Sequence, residues 1–459
     1  MSALEKFKKS PWAWVSTLYF IEGIPYFLVN EISVILFKKM GVPNGQMALF
    51  TSLIYLPWVV KPLWSPFVDI IKKKRWWIVM MQMLMAATLI LLTVTLPSPG
   101  EEMIKAGTTP ISMFTVTLIF FVITAFASAT HDIAADGFYM LALSQKNQSA
   151  FVGVRSTFYR LANIFGNGVL VWIAGYLETK TSIPAAWKIT MGIASAILCL
   201  FYLYHLFIIP RPATDKSSLE GSFKENKSRV WSEFGRTIVT YFTKPGVWVA
   251  IVFMLLYRLP EAFLLKMCKP FMLDPVAKGG LDMSTQDVGL AYGTIGVAAL
   301  LAGGILGGIY SSRVGLKKAI WIMAGCMTLP CLTFVYLSMA QPTSFFVISA
   351  AIVIEQFGYG FGFTAYMLYM MYFSEGEFKT SHYAICTAFM SLSMMIPGMF
   401  AGFLQESMGY SAFFWMAFAC SIATIAVTFL ADRKIDPSYG TGKDKKKLEE
   451  EVQETTPEV

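Results

Sequence analysis

Apolar runs of about twenty residues, separated by short polar loops, fill most of the chain. They begin near Trp12, Met47, Trp76, Ile111, Phe151 and Trp187 and then, after a polar stretch from Pro210 to Lys244, near Gly246, Val288, Lys318, Phe345, His382 and Ser411, the last ending near Ala431. A run of that length crosses the hydrocarbon core of a bilayer as a helix, because only a helix satisfies its own backbone there. The pattern therefore predicts an all-α polytopic membrane protein of twelve spans in two six-helix halves. Residues 1–209 form the first half, 210–245 a cytoplasmic linker, 246–432 the second half and 433–459 a cytoplasmic tail. The tail's GKDKKKLEEEVQETTPEV is charged low-complexity sequence and is expected to be disordered. The first apolar run has no small-residue cleavage site and is expected to stay as the first helix.

Composition agrees with the pattern and narrows it. Of 459 residues, 56% are hydrophobic and 14% charged, with a mean hydropathy of +0.56, whereas soluble domains carry about a quarter charged residues. The net charge of +8 does not point to nucleic acid, because the basic residues sit in short clusters between apolar runs. With the termini, every second loop and the linker assigned to one side, that side holds 25 basic residues and the other six. The positive-inside rule then puts both termini in the cytoplasm. The cysteines, Cys199, Cys268, Cys326, Cys331, Cys386 and Cys420, all fall inside expected spans and read as small core residues. No phosphate-cradling glycine loop is present and the three histidines are scattered, so no enzyme, cofactor or metal site is expected.

The two halves resemble each other. SPFVDIIKKKRWW after the second span has a counterpart in GGIYSSRVGLKKAIW after the eighth, and AGYLE ending the fifth has one in AGFLQE ending the eleventh. Parallel six-helix repeats around a midplane cavity are the plan of major facilitator transporters.

Polar residues inside spans mark the expected pathway, since a charged one costs at least ~2.5 kcal/mol to bury in lipid. The first span carries Glu22, beside Gly23 and Pro25, with an expected cavity role, and Glu31, which suits either the cavity or the interface. The fourth carries His131, Asp132 and Asp136. The two aspartates share a helical face, and their repulsion means that one of them can hold a proton. Asp136 also fits an end cap or salt bridge, and His131 a packed histidine. The fifth carries Tyr159 and a stripe of Arg160, Asn163 and Asn167. Arg160 suits either an aspartate of the fourth span or an anionic substrate. The seventh places Arg258 and Glu261 a turn apart around Pro260, and the tenth places Glu355 and Gln356 before GYGFG. Lys61 and Asp69 in the second span read as structural or gating residues, with Asp69 pairing cations of the Lys72 to Arg75 cluster.

KPLWSPFVD at 61–69, SATHDIAADGF at 128–138, YRLANIFGNG at 159–168, LYRLPEAF at 256–263, IEQFGYGFG at 354–362 and SHYAICTAFMSLSMMIPGMFAGFLQE at 381–406 together resemble the AmpG muropeptide permease family. The resemblance implies the major facilitator fold and import of anhydro-muropeptides, GlcNAc-anhydroMurNAc with or without peptide, by proton symport for cell-wall recycling. The carrier is expected to be a monomer in the bacterial inner membrane. Carried over, Asp132 and Asp136 match the family's paired aspartates, Arg160 its Tyr-Arg-Leu arginine and Glu355 its tenth-span glutamate. His131, Glu261 and Glu22 stand where the family commonly has Gln, Asp and a small residue. The alternatives are an acetyl-CoA or other organic-anion transporter, whose first and fourth spans are similar, and a membrane signalling protein that works through its linker or tail. The linker and tail show no foldable apolar pattern, which weighs against signalling. From these readings Asp132, Asp136, Glu22 and Glu261 are the expected proton-coupling residues. Tyr159, Arg160, Asn163, Asn167, Arg258, Glu355 and Gln356 are the expected substrate contacts, and Lys61, Asp69 and Arg75 the expected gate.

Overall fold

The computed structural model describes residues 10–143, 145–213, 215, 223–376 and 378–440, and every regular element among them is helical. Ten of these helices are long and apolar enough to cross a membrane. In the first half lie α1 (Pro11–Lys39), α2 (Asn44–Leu53 continued by Leu56–Ile70), α3 (Lys74–Thr95), α4 (Ile111–Ala142) and α6 (Ile183–Ile208). Between the last two, α5 is built from Gln145–Asn163, Ile164–Leu170 and Val171–Glu178; its arginines and asparagines make it the least apolar span. The second half holds α7 (Val247–Leu273), α8 (Thr285–Val314), α9 (Leu316–Ala340) and α10 (Phe345–Ser374). The last long helical stretch, Lys379–Ala419, breaks at Gly409, whose φ of 77° only glycine adopts easily. The segment before the break is α11; the segment after it, continued by Ser421–Asp432, is α12.

Lipid, rather than water, explains the surface. Phe346, Ile422, Phe207 and Trp248 are each more than two-thirds exposed, which in a soluble protein would invite aggregation. Small residues let the helices of the two halves touch. A Cβ on Gly293 of α8 would collide with the backbone of Asn167 in α5, and one on Gly402 of α11 with the backbone of Asn44 in α2. These contacts lie toward the end of the bundle opposite residues 10 and 440. Further along the same two helices, toward residues 10 and 440, Gly153 of α5 and Gly308 of α8 have nothing within 4 Å of a Cβ position. The halves therefore meet at one end and α5 parts from α8 toward the other.

Polar contacts seal the closed end. Asp274, at the end of α7, takes Lys38 Nζ at 2.5 Å, Tyr410 Oη at 2.5 Å and Asn44 Nδ2 at 3.3 Å. Asn44 Nδ2 also donates to Gln405 Oε1 at 2.7 Å, and the Gly45 amide donates to Glu406 Oε1 at 2.8 Å. Beside them Glu178 of α5 accepts from Thr285 of α8 at 2.7 Å and pairs with Lys39 at 3.1 Å.

The linker differs from its expected featureless state. Its Phe223–Phe242 segment is a helix, because Val230, Phe234, Thr237 and Tyr241 recur at three- and four-residue spacing. Tyr241 is fully buried, and Thr240 and the Thr237 carbonyl both lie 3.2 Å from His382 Nε2 at the start of α11. Lys244 then donates to the carbonyls of Phe373 and Glu375 at 2.7 Å, closing the end of α10. The tail beyond residue 440 lies outside the described residues.

Candidate functional site

The first half carries a compact charge cluster. Glu22 of α1 and Asp132 and Asp136 of α4 each bring a carboxylate oxygen within 4.8 Å of the others. Two cations answer them. Lys61 Nζ of α2 lies 2.6 Å from Asp132 Oδ2, and Arg155 Nη2 of α5 lies 2.6 Å from Asp136 Oδ1. Tyr19 Oη donates to the same Asp136 oxygen at 3.1 Å, and the Arg155 guanidinium lies 4.4 Å from the centre of the Tyr19 ring. Among the described residues Glu22 has no cation of its own: it is 6% exposed and its Oε2 has no hydrogen-bond partner there. Three carboxylates against two cations leave one negative charge in excess, and a proton on Glu22 removes it without disturbing either ion pair.

Arg160 stands apart from this cluster, so of the two partners expected for it, an aspartate of the fourth span or an anionic substrate, the structure does not bring the aspartates to it. Five residues on a helix turn about 140°, so Arg155 faces α4 while Arg160 faces α8, its Nη2 close to Gly304. Among the described residues no carboxylate lies within ion-pair distance of Arg160. Lys61, expected as structural or gating, pairs with Asp132. His131 points away from the carboxylates: its Nε2 lies 3.0 Å from Gln82 Nε2, and Gln82 Oε1 lies 3.1 Å from His205 Nδ1, a buried polar chain through α3, α4 and α6. Arg75, the other expected gate cation, donates to the carbonyls of Ile209 and Leu206 at 3.0 and 2.6 Å. The Asp215 carboxylate accepts from the Lys74 and Arg75 amides and so caps α3. The Asp69 side chain lies outside the described residues.

The second half supplies a cationic stripe. α7 restarts at Leu259 and Pro260 after Arg258 leaves helical geometry (φ −101°, ψ 13°), and proline suits a first helical turn. Arg258, Ala262, Lys266 and Lys269 then follow at helical spacing and all border the central cavity. Arg258 Nη2 donates to Tyr359 Oη at 2.7 Å, and its guanidinium lies 4.7 Å from the Phe363 ring centre. Lys269 Nζ lies 2.9 Å from Glu31 Oε2 and 3.0 Å from Asn167 Oδ1, so Glu31 belongs to the cavity rather than the interface. Three wide π-helical turns meet at this lysine: Leu28–Ile32 brings Glu31, Ile164–Leu170 brings Asn167, and Gly289–Gly296 brings Tyr292, whose ring centre is 5.3 Å from Nζ. Such turns cluster at functional sites. Asn167 Nδ2 donates to Asn163 Oδ1 at 2.7 Å, and Gln356 Nε2 donates to Glu355 Oε2 at 2.8 Å and Tyr292 Oη at 2.9 Å. Glu261 and Glu355 are each 1% exposed, with one carboxyl oxygen unpartnered.

Two adjoining cavities connect these groups. One of about 400 Å³ reaches Glu22, Lys61, Asp132 and Arg155; the other, of about 550 Å³, reaches Arg160, Arg258, Lys266 and Gln356. Tyr26, Ser156 and Tyr159 border both. Two tyrosines stand in the shared wall, Tyr26 and Tyr159, their ring centres 6.3 Å apart, and the Tyr26 ring centre lies 5.2 Å from that of Trp58, which borders the smaller cavity. Lys266 and Lys269 escaped the sequence reading, although their spacing after Arg258 and Ala262 was visible in it.

Comparison with known proteins agrees with this geometry. Residues 15–379 match the family model described as Major Facilitator Superfamily. The chain is 24% identical over 418 residues to a putative transporter AmpG 4 of Rickettsia conorii, covering 91% of this chain and 95% of that one. It is 23% identical over 421 residues to the anhydromuropeptide permease of Escherichia coli K12, covering 91% of this chain and 79% of the relative. Among solved structures, a D-xylose-proton symporter superposes with a TM-score of 0.69 at 11% identity, covering 93% of this chain and 98% of that one. Twelve spans in two halves, a polar cavity between them and a match over most of the length lead to one assignment: this chain is a multi-pass membrane transporter of the Major Facilitator Superfamily, similar along nearly its whole length to AmpG permeases.

Proposed function

We propose that the protein imports anhydro-muropeptides, GlcNAc-anhydroMurNAc with or without stem peptide, by proton symport across the bacterial inner membrane, and works as a monomer. The observation that carries this reading is a pair of adjoining cavities that sets an aromatic wall beside a guanidinium with no carboxylate partner among the described residues. Tyr26, Trp58 and Tyr159 offer flat faces for the apolar sides of sugar rings. Arg160 offers a bidentate fork for a substrate carboxylate, the lactyl one in the bare disaccharide or one of the stem peptide's where the lactyl group is amide-linked. With the positive-inside orientation, the end sealed by Asp274 faces the periplasm and the cavity opens toward the cytoplasm.

Glu22 is the proton carrier in this reading. It takes a proton when the cavity faces the periplasm and releases it to the cytoplasm, while Lys61 and Arg155 hold the charges of Asp132 and Asp136. Glu261 and Glu355 are a second buried carboxyl pair in the other half and serve as the reserve assignment. An organic phosphate such as acetyl-CoA is the second reading, because unpaired cavity cations suit phosphate as well.

Counterflow in proteoliposomes decides between the two. Vesicles loaded with unlabelled GlcNAc-anhydroMurNAc should draw in the labelled disaccharide. Uptake in vesicles loaded with acetyl-CoA, and none with the disaccharide, would overturn the muropeptide assignment.

A further inference from the structure

The cavity holds more positive charge than one carboxylate of the substrate can answer. Four cations border it, Arg160, Arg258, Lys266 and Lys269, against one carboxylate, Glu31. Glu31 is already held by Lys269. Arg258 has a phenol and aromatic rings for partners, and its Nε has none among the described residues. Lys266 is 8% exposed and, among the described residues, has neither an acceptor nor an ion-pair partner. An ammonium kept there without a counter-charge is costly in a membrane interior, and a bound anion would supply that charge.

The unpaired cations also stand on different walls. Arg160 lies on α5 against Gly304 of α8. Lys266 lies on α7 on the side of α2 and α11, where its Cδ is near Gly398, a glycine packed on Ser52. Arg160 belongs to the first half and Lys266 to the second, so a molecule with charges at two places can meet one cation from each half.

We propose that Lys266, assisted by Arg258, is a second anion-binding pole, and that the transporter selects substrates with two separated negative groups over substrates with one. This rests on the muropeptide reading for its ligand. The bare disaccharide carries a single lactyl carboxylate, whereas a stem peptide containing acidic residues replaces it with two or more carboxylates further from the sugar. The sugar then lies on the aromatic wall, one carboxylate on Arg160 and another on Lys266. Met fills the volume of the lysine stem without its charge, and Arg restores the charge.

Titration calorimetry on the purified full chain tests the proposal with four probes: the disaccharide, its tripeptide form, that tripeptide form with its carboxylates amidated, and acetyl-CoA. The tripeptide form should bind about tenfold or more tighter than the disaccharide, and amidation should remove the gain. Lys266→Met should weaken the tripeptide form about tenfold and the disaccharide less than about threefold, with Lys266→Arg recovering most of the loss. Equal weakening of both ligands, no weakening of either, or an amidated peptide that binds as well as the charged one overturns the second pole. Tight acetyl-CoA binding that depends on Lys266, with neither muropeptide bound, supports the pole and overturns the muropeptide reading.

Discussion

Lys61 and Asp132 sit on different helices, 2.6 Å apart, each about a fifth exposed. Removing the ammonium leaves a carboxylate facing Glu22 and Asp136 with no counter-charge. Lys61→Met should therefore lower stability by roughly 1–3 kcal/mol, and adding Asp132→Asn should recover most of it, as thermal melts of the single and double variants in detergent would report. Equal melts for Lys61→Met and the parent would contradict the pairing. The sequence exposed all of these residues, because a charge inside an apolar run stands out, but it could not assign partners. Partner choice depends on which helix faces each stripe. Arg155 and Arg160 lie five positions apart and so face different neighbours, and the arginine nearer the family motif is not the one that meets Asp136. Lys266 was overlooked for a different reason: it follows Arg258 and Glu261 in the middle of α7, and the alanine at 262 interrupts the charged members of a stripe whose spacing the sequence does show.

At the scale of elements, contact between α5 and α8 depends on absent side chains. A Cβ at Gly293 collides with the Asn167 backbone, and helix backbones cannot yield as a flexible side chain does. Gly293→Val should prise the two helices apart at the sealed end at a cost of about 1–3 kcal/mol. Spin labels at Lys180 and Val276, in loops of opposite halves at that end, should then move apart; an unchanged distance would show that this contact does not hold the end shut. The linker helix makes a separate claim. Lys244→Ala removes two carbonyl contacts at the end of α10 and should destabilise by about 1 kcal/mol, less than a buried bond because the lysine is partly exposed. The helical boundaries were legible because lipid demands long uninterrupted apolar runs, and the observed starts at Ile111 and Phe345 coincide with those expected. The π-helical turns in α1, α5 and α8 were not legible, since they arise where packing around Lys269 pulls one extra residue into a turn.

At the scale of the molecule, two six-helix halves close at one end through Lys38, Asn44, Asp274, Gln405 and Tyr410 and leave the charge cluster and cavity between them. Asp274→Asn weakens that seal without touching the cavity. It should shift the resting population toward opening at the sealed end, raising labelling of a cysteine placed at Val34, a buried residue on the cavity wall, by a membrane-impermeant reagent added on that side; unchanged labelling would assign closure to the glycine contacts alone. The central claim is that a proton on Glu22 travels with the substrate. Vesicles carrying an internal pH-sensitive dye, with the chain oriented for import, test it directly. Adding anhydro-muropeptide outside should acidify the lumen with the native chain. The same addition with Glu22→Gln should give no acidification, although counterflow of the labelled substrate persists. Acidification of equal rate in Glu22→Gln would contradict the account and move the proton to Glu261 and Glu355.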